Sequence, residues 1–448
     1  MFLSLEEFSS YQPTKPTFAV FGKPIEHSLS PFLQIELAKK FDLDIAYLRV
    51  EVSKETLPAA VAIARKKLVG FNCTHPLKEE ILKFLDYYDE KTHILNACNT
   101  VFVECGKLYG YNTDGYGIKT ALSGYGISLQ NAKALLLGCG GAASAFAYEA
   151  ACANTHLTIA ARNREKALQF ANRFPNLNYQ IISFDQVSGK YDFILNSTPI
   201  GMVPNTDETP LDLSNIETNF VYDMIYEPAM TKLLLDAEAR GIPFDNGLSM
   251  LVYQGAESQL HWFGHLHTQE DQRAVLDALT AQKAKNNLGE RNIVLSGFMC
   301  AGKTTLGRAL ANTLGLTFID TDNALEEEFG CTISDFFAQY GEAEFRKREA
   351  KTILRLSEKK NCVLALGGGA ILNPDSAAAL RKNGVVLFLN PPIETLRKRF
   401  SSDGSRPLLQ QNTWESLYQS RLPIYQKTAH KSVTTQSLTD LLKLIQGV

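Results

Sequence analysis

At 448 residues, 45% of them hydrophobic and 21% charged, the chain has the make-up of folded globular protein, with room for about three structural domains. A net charge of −3 gives no reason to expect nucleic acid or an anionic membrane surface as a partner. Eight cysteines without a C-x-x-C pair argue against a zinc site or a disulfide framework. They fit a reducing compartment. The opening Met1-Phe2-Leu3-Ser4-Leu5-Glu6-Glu7-Phe8 lacks the basic region of a signal peptide, and no uncharged apolar run nears the roughly 18 residues of a membrane span. A cytoplasmic location is therefore expected, with no membrane and no nucleic-acid partner.

Short β-like runs alternate with helical periods, which predicts an α/β fold. Strands are expected at Thr17–Phe21, Ala46–Val52 and Gly70–Cys73. Residues 98–112 read as a hairpin turning at Cys105-Gly106-Lys107. A second α/β unit opens at Ala132–Leu137 and runs to about Asp245, and residues 248–284 then turn helical. The polar stretch 282–290 has little to bury and is the expected linker. The third unit starts at Asn292.

The first glycine-rich turn in chain order is Ala134-Leu135-Leu136-Leu137-Gly138-Cys139-Gly140-Gly141-Ala142-Ala143. A buried-strand run enters a turn close to G-x-G-x-x-G, with Ala143 at the third position, where a small residue lets helix and strand pack closely. Gly138, Gly140, Gly141 and Ala142 are the expected cofactor contacts. The next strand, His156–Ala160, ends in Ala161-Arg162-Asn163-Arg164-Glu165-Lys166, about 20 residues past the glycines. An NAD site carries an acid there for the ribose 2′-hydroxyl; bases suit a 2′-phosphate. NADPH is favoured, with Arg162 the first contact and Lys166 the second.

Gly297-Phe298-Met299-Cys300-Ala301-Gly302-Lys303-Thr304 fits G-x-x-x-x-G-K-[ST], the phosphate-binding loop. The run Asn292-Ile293-Val294-Leu295-Ser296 precedes it and a helical period from about Thr304 to Leu314 follows. Amides at such a helix N-terminus wrap phosphate oxygens. Gly297, Ala301, Gly302, Lys303, Thr304 and Thr305 are the expected ATP contacts, and the Thr304 hydroxyl can reach Mg2+.

Four polar clusters lie upstream: Ser28-Leu29-Ser30-Pro31, Asn72-Cys73-Thr74-His75-Pro76-Leu77-Lys78, Asn96-Ala97-Cys98-Asn99-Thr100 and Asn112-Thr113-Asp114-Gly115. Their hydroxyls, amides, lysine and carboxylate suit a polyhydroxylated small acid. His27 and His75 sit among them in turn or packing roles. The stretches from Phe21-Gly22-Lys23-Pro24-Ile25-Glu26-His27-Ser28 through Tyr111-Asn112-Thr113-Asp114-Gly115 closely resemble shikimate dehydrogenase. So do Asn196-Ser197-Thr198-Pro199-Ile200-Gly201-Met202, Tyr222-Asp223-Met224-Ile225-Tyr226 and Asn246-Gly247-Leu248-Ser249-Met250-Leu251-Val252-Tyr253-Gln254. The resemblance spans residues 15–270 or so, in order.

It implies that Ser28 and Ser30 bind the substrate carboxylate with Tyr226 nearby, and that Thr74, Asn99 and Gln254 hold ring hydroxyls. Lys78 and Asp114 match the family's catalytic pair. Hydride delivery to a ketone builds negative charge on oxygen, which a positioned ammonium can stabilise and protonate. A neighbouring carboxylate favours the ammonium. Cys73 stands where a small apolar residue is usual, and Asn163 and Lys166 vary the usual 2′-phosphate cluster.

Residues 291–436 resemble shikimate kinase through Asp320-Thr321-Asp322, Glu344-Phe345-Arg346, Gly367-Gly368-Gly369, Arg406-Pro407-Leu408-Leu409 and Arg421-Leu422-Pro423-Ile424-Tyr425. By that resemblance Asp322, Arg346, Gly368, Gly369 and Arg421 hold substrate, with Asp322 the candidate base. Thr304 and Asp320 hold Mg2+, directly or through water. Arg406, on a lid that includes 401–405, joins Lys303 as a catalytic group. Cys300 departs from the usual glycine. Glu326, Glu327 and Glu328 are expected to face solvent on a helix.

The fold expected is a two-domain dehydrogenase-like unit followed by an α/β/α domain of the P-loop, nucleoside-monophosphate-kinase type. Residues 1–114, completed by helices in 247–284, form an α/β substrate domain. Residues 115–246 form a Rossmann-like NADP domain, 285–290 the linker and 291–448 the kinase domain. The expected activities are NADPH-dependent reduction of 3-dehydroshikimate to shikimate and MgATP-dependent phosphorylation of the shikimate 3-hydroxyl. The alternative front half is an NAD-linked quinate or shikimate dehydrogenase, against which the missing acid near Arg162 speaks. A metabolite sensor would be expected to lose Lys78, Asp114, Lys303, Thr304 and Arg406, and all are present.

Overall fold

The computed structural model describes residues 1–401, 413–434 and 437–446. Two compact units divide the chain, Met1–Leu279 and Thr280–Val448.

The first unit opens with a seven-stranded sheet. Its order is Phe2–Leu3, Ala46–Glu51, Thr17–Gly22, Gly70–Cys73, Thr100–Glu104, Lys107–Tyr111 and Tyr87–Tyr88. Thr17–Gly22 is buried along its whole length, as a parallel strand covered on both faces requires. The antiparallel pair Thr100–Glu104 and Lys107–Tyr111 turns at Cys105-Gly106. Both turn residues have positive φ, 51° and 76°, the conformation that matches a tight turn to strand twist. This hairpin places Asn99 just before its first strand and Asp114 just after its second.

The helix Asp114–Ser123 leads into a six-stranded, all-parallel sheet. Its order is Asn178–Ile182, His156–Ala160, Lys133–Leu137, Phe193–Asn196, Val221–Asp223 and Phe244–Asn246. Strand order reverses between Lys133–Leu137 and Phe193–Asn196, and the crevice at such a reversal is where α/β sheets bind ligands. The helix Leu248–Phe263 then returns to the first sheet. There Trp262 donates its indole N–H to the Val101 carbonyl at 3.0 Å and lies 4.7 Å from the Phe18 ring.

The stretch read as a linker differs from expectation, because a helix runs over Gln269–Leu288. Ala281, Ala284 and Leu288 belong to the second unit's core. Their spacing puts them on one helical face. Polar composition describes only the other faces of that helix, which is why composition alone suggested a linker.

Among the described residues the second unit holds a five-stranded parallel sheet. The order is Thr317–Asp320, Cys362–Ala365, Asn292–Gly297, Gly384–Leu389 and Lys431–Val433. The central strand Asn292–Gly297 is fully buried and points its C-terminal end at the helix Lys303–Leu314. No helix among the described residues is long and apolar enough to cross a membrane.

Candidate active sites

The first site lies at the strand ends of the seven-stranded sheet. Lys78 Nζ sits 2.6 Å from Asp114 Oδ2, with side-chain exposures of 35% and 13%. The carboxylate is mostly covered while the ammonium still reaches the cleft. Asp114 begins its helix, where the positive end of the backbone dipole favours a carboxylate. Its other oxygen accepts from Asn99 Nδ2 at 2.8 Å, and the same amide reaches Gln254 Oε1 at 3.3 Å. The Cys98 N–H donates to the Lys78 carbonyl at 2.8 Å. One hydrogen-bonded set thus joins Lys78, Asp114, Asn99 and Gln254.

The direction of the Asn99 amide is fixed by its surroundings. Its oxygen accepts from the Thr113 N–H and the Thr100 hydroxyl, both at 3.0 Å. The NH2 is therefore left to face Asp114. Behind it, Tyr47 donates to Asn72 Oδ1 at 2.6 Å, and Asn72 Nδ2 donates to the Asn99 carbonyl, Thr100 Oγ1 and Ser258 Oγ. Sequence reasoning gives this buried support no role. Its signal is an asparagine inside the otherwise apolar strand Gly70–Cys73.

Of the remaining substrate-side candidates, Ser28, Ser30 and Thr74 follow the C-terminal ends of Thr17–Gly22 and Gly70–Cys73, and Tyr226 follows Val221–Asp223 of the second sheet. Arg49 donates to the Ser28 carbonyl at 2.9 Å, and Ser28 Oγ accepts from the Ser30 N–H at 3.2 Å. Thr74 donates its N–H to the Phe21 carbonyl at 2.9 Å, and its methyl occupies the space a side chain at Gly22 would need. Tyr226 packs with Leu29 and Phe32 on the cluster containing Leu33 and Leu248. Burial pushes its phenol upward from the usual range. The side chains of His27 and His75 are exposed. Cys73 is buried, and burial raises its thiol.

The glycine turn occupies the reversal point of the parallel sheet. Gly138 has φ 89° and donates its N–H to the Ala160 carbonyl at 2.9 Å. A Cβ on Gly138 would press on Thr198, whereas at Gly140 or Gly141 it would meet nothing within 4 Å. The start of the helix Gly141–Cys152 is thus open for a ligand's phosphates, and Ala143 is fully buried beneath it. Arg162, just past the end of the adjoining strand, and Lys166, in the first turn of the helix Arg164–Ala171, are exposed. Asn163 caps the helix Arg164–Ala171 through the Lys166 N–H at 2.9 Å. This capping is the work Asn163 performs.

Beneath the reversal point lies a polar group that sequence reasoning leaves unassigned. Asp223 is fully buried and accepts from Asn196 Nδ2 at 3.0 Å, the Ile225 N–H at 3.0 Å and the Thr231 hydroxyl at 2.7 Å. Burial outweighs these donors and pushes its carboxyl up to about 6.

In the second unit a cavity of about 1160 Å³ opens at the end of the central strand, lined in part by Lys303, Thr304, Asp322, Arg346 and Arg421. Lys303 Nζ donates to the carbonyls of Gly297 and Phe298 at 3.0 and 2.9 Å. Thr304 Oγ1 lies 2.8 Å from Asp320 Oδ2, and Asp320 Oδ1 accepts the Asp322 N–H at 3.1 Å. Gly302 and Cys300 both have positive φ, 95° and 60°. The glycine adopts this freely, and the cysteine carries a cost of about 1–2 kcal/mol. Arg399 Nη1 holds the Cys300 carbonyl at 2.9 Å, a support sequence reasoning misses.

Gly368 and Gly369 of the glycine triplet line the same cavity. Arg421 and the Tyr425 hydroxyl donate to the Gly368 carbonyl at 3.2 and 2.6 Å. A Cβ on Gly367 would collide with the Asp322 carboxylate, and one on Gly369 with the Arg346 guanidinium. Arg346 Nη1 pairs with Glu349 Oε2 at 2.7 Å, and burial raises the Glu349 carboxyl against the opposing pull of that arginine. The i, i+3 spacing of Arg346 and Glu349 is the signal that could have found this partner. Arg406 and residues 402–405 of the expected lid lie outside the described residues. Two of the three glutamates, Glu326 and Glu328, differ from expectation. Glu326 accepts the Ile333 N–H at 3.0 Å, and Glu328 binds Thr352 and Arg355 at 2.8 and 3.0 Å. Only Glu327 matches a purely solvated position, because the helix Thr321–Phe329 packs against Ile333–Ser357.

Together these features define a two-part α/β enzyme, a dinucleotide-type unit with a Lys–Asp cleft followed by a P-loop unit. The family model of the shikimate dehydrogenase substrate-binding domain matches residues 20–101, and that of shikimate kinase matches residues 299–446. The chain is 40% identical over 254 residues to a shikimate dehydrogenase (NADP(+)) of Caldicellulosiruptor bescii, covering 54% of this chain and 88% of that protein. A Staphylococcus aureus shikimate dehydrogenase (NADP(+)) is 39% identical over 251 residues, with 55% and 91% covered. Among solved structures, shikimate 5-dehydrogenase of Thermus thermophilus in complex with NADP(H) and shikimate superposes with a TM-score of 0.55 at 30% identity, over 59% of this chain and 99% of that one. A 5-ketofructose reductase of Gluconobacter superposes with a TM-score of 0.53 at 30% identity, over 59% and 98%. The chain belongs to the shikimate dehydrogenase family and carries a shikimate kinase domain behind it.

Proposed function

We propose that the first unit reduces 3-dehydroshikimate to shikimate with NADPH, and that the second phosphorylates the 3-hydroxyl of that shikimate with MgATP. The observation that carries the reading is the single hydrogen-bonded set of Lys78, Asp114, Asn99 and Gln254. The fold itself does not choose the substrate, since a ketofructose reductase shares it; the side chains do.

Ser28 and Ser30, with Tyr226 beside them, hold the carboxylate, and Thr74, Asn99 and Gln254 hold ring hydroxyls. NADPH supplies the hydride. Lys78 stabilises the charge that builds on the ketone oxygen and gives that oxygen a proton from Nζ. Asp114 anchors the ammonium and helps to orient the ring. The open backbone at Gly140 and Gly141 fits a pyrophosphate, and Arg162 and Lys166 take the 2′-phosphate.

In the second unit ATP supplies the phosphoryl group. Lys303 exchanges its loop carbonyls for phosphate oxygens, and the Gly297–Thr305 backbone wraps them. Thr304 and Asp320 offer hard oxygens 2.8 Å apart, which suits Mg2+, an ion that takes few protein ligands and completes its shell with phosphate and water. Asp322, Arg346, Arg421 and the glycine triplet position shikimate, with Asp322 nearest in kind to a base. Arg406 neutralises charge on the transferred group. All eight cysteines are free thiols, in keeping with a reducing, cytoplasmic setting.

One assay tests both halves. Purified protein is given 3-dehydroshikimate, NADPH, ATP and Mg2+, with absorbance following NADPH and mass spectrometry following shikimate 3-phosphate. Loss of NADPH together with the phosphate product is expected. Loss without that product overturns the kinase reading, and equal rates with NADH overturn the cofactor assignment.

A further inference from the structure

A second ion pair lies behind the Lys78–Asp114 cleft. Lys91 Nζ is 2.8 Å from Glu149 Oε1, with side-chain exposures of 21% and 11%. Lys119 approaches the other Glu149 oxygen at 3.9 Å, and Lys91 Nζ stands 5.6 Å from the centre of the Tyr148 ring. Glu257 faces the same group from the helix Leu248–Phe263; burial raises its carboxyl while Lys91 lowers it.

The location of the pair matters more than its strength. A largely covered ion pair adds little net stability but constrains geometry. Lys91 sits on the helix Glu90–Leu95, which leads directly to Asn99. Glu149 sits on Gly141–Cys152, the helix that begins in the dinucleotide turn. Both occupy the space a side chain at Gly115, the residue after Asp114, would need. A Cβ there would lie 2.6 Å from Glu149 Oε1 and 3.0 Å from Lys91 Nζ. The pair therefore meets three segments at one point: one that delivers Asn99, one that delivers Asp114 and one that receives the cofactor.

We propose that Lys91 and Glu149 are positioning residues of the dehydrogenase, locking the first turn of Asp114–Ser123 so that Asp114 holds Lys78 and Asn99 in register with the cofactor helix. This rests on the reductase reading of the first unit. Neither residue touches substrate; they act through Gly115 and Asp114.

The test uses the full chain, with Lys91→Met, Glu149→Gln, the double variant and Lys91→Arg. Reductase kcat and both KM values, NADPH affinity by fluorescence, thermal midpoint and kinase rate are measured on each. The two single variants are expected to lose about tenfold in reductase kcat, a fraction of what ångström-scale misplacement costs. The double variant should be no worse than the poorer single, as expected for one shared interaction. Lys91→Arg should return to within about twofold of wild type, with NADPH affinity and kinase rate unchanged throughout. Unchanged kcat in both singles overturns the proposal. So does a loss that follows the thermal midpoint, or one that Lys91→Arg fails to restore. Wild-type protein without reductase activity would overturn the functional reading itself, a result seen before any variant is compared.

Discussion

At the scale of single residues, Lys78 has a neighbour that holds it and a cleft that it faces. On the function proposed here, removing its ammonium would leave the ketone oxygen without its proton donor. Lys78→Ala is expected to lower reductase kcat by at least about a hundredfold, the usual worth of a positioned acid, with kinase rate intact. A normal reductase rate in steady-state assays would remove Lys78 from the mechanism. Arg162 is exposed and has room to meet a 2′-phosphate. Arg162→Ala should weaken NADPH by about 1.5–3 kcal/mol, the value of a charge-assisted contact, and leave NADH binding unchanged. Titration of both nucleotides by fluorescence checks this, and unchanged NADPH affinity would place the phosphate elsewhere. Such residues were legible in the sequence because short polar clusters interrupt apolar strands. Of the partners that aim them, Ser258 and Arg399 act across the fold from distant segments and were not legible, whereas Asn72 and Glu349 leave local traces, an amide in an apolar strand and an i, i+3 spacing.

At the scale of elements, strands and turns were read well where chemistry forces them. The apolar stretch Ala134-Leu135-Leu136-Leu137 and the Cys105-Gly106 turn are examples. Polar composition predicts a linker at 282–290 where a helix runs, because Ala281, Ala284 and Leu288 share one buried face that composition does not register. Strand ends also carry a pH dependence no motif announces. Asp223 closes the strand Val221–Asp223 with a carboxyl raised from 3.8 to about 6. The folded state therefore holds this proton more tightly than the unfolded chain. The associated stability is present in full below the unfolded value and is lost as pH rises through the folded one. The loss amounts to about 3 kcal/mol. Asp223→Asn keeps acceptor capacity without the charge. The wild-type-minus-variant difference in urea stability should thus fall by about that amount between pH 3.5 and 7, roughly the span of the two titrations. A pH-independent difference would show that the three donors hold the carboxylate ionised after all.

At the scale of the whole molecule, two units of different family carry chemically consecutive steps, and the proposed sites share no residue. Lys303→Ala should abolish phosphoryl transfer while the reductase runs at its normal rate, measured in the same preparation. A fall in both rates would reveal structural coupling between the units. This two-part organisation was visible in the sequence, since a glycine turn and a P-loop each announce a phosphate-binding strand–helix junction. What the sequence could not give was the direction of each side chain. The Asn99 amide, for instance, is oriented by donors from Thr100 and Thr113 that only the folded hairpin brings together.

The glycine triplet sets a limit on how this enzyme can vary. A side chain at Gly367 or Gly369 would displace the Asp322 carboxylate and the Arg346 guanidinium rather than any backbone. Folding would survive such a change, but the two groups proposed to grip the substrate would swing away from it. An inhibitor resting on that strip of main chain would lean on a surface the protein cannot reshape without disarming itself. Escape by substitution is narrowed at Gly367 and Gly369, while a Cβ on Gly368 would meet only ordinary contacts.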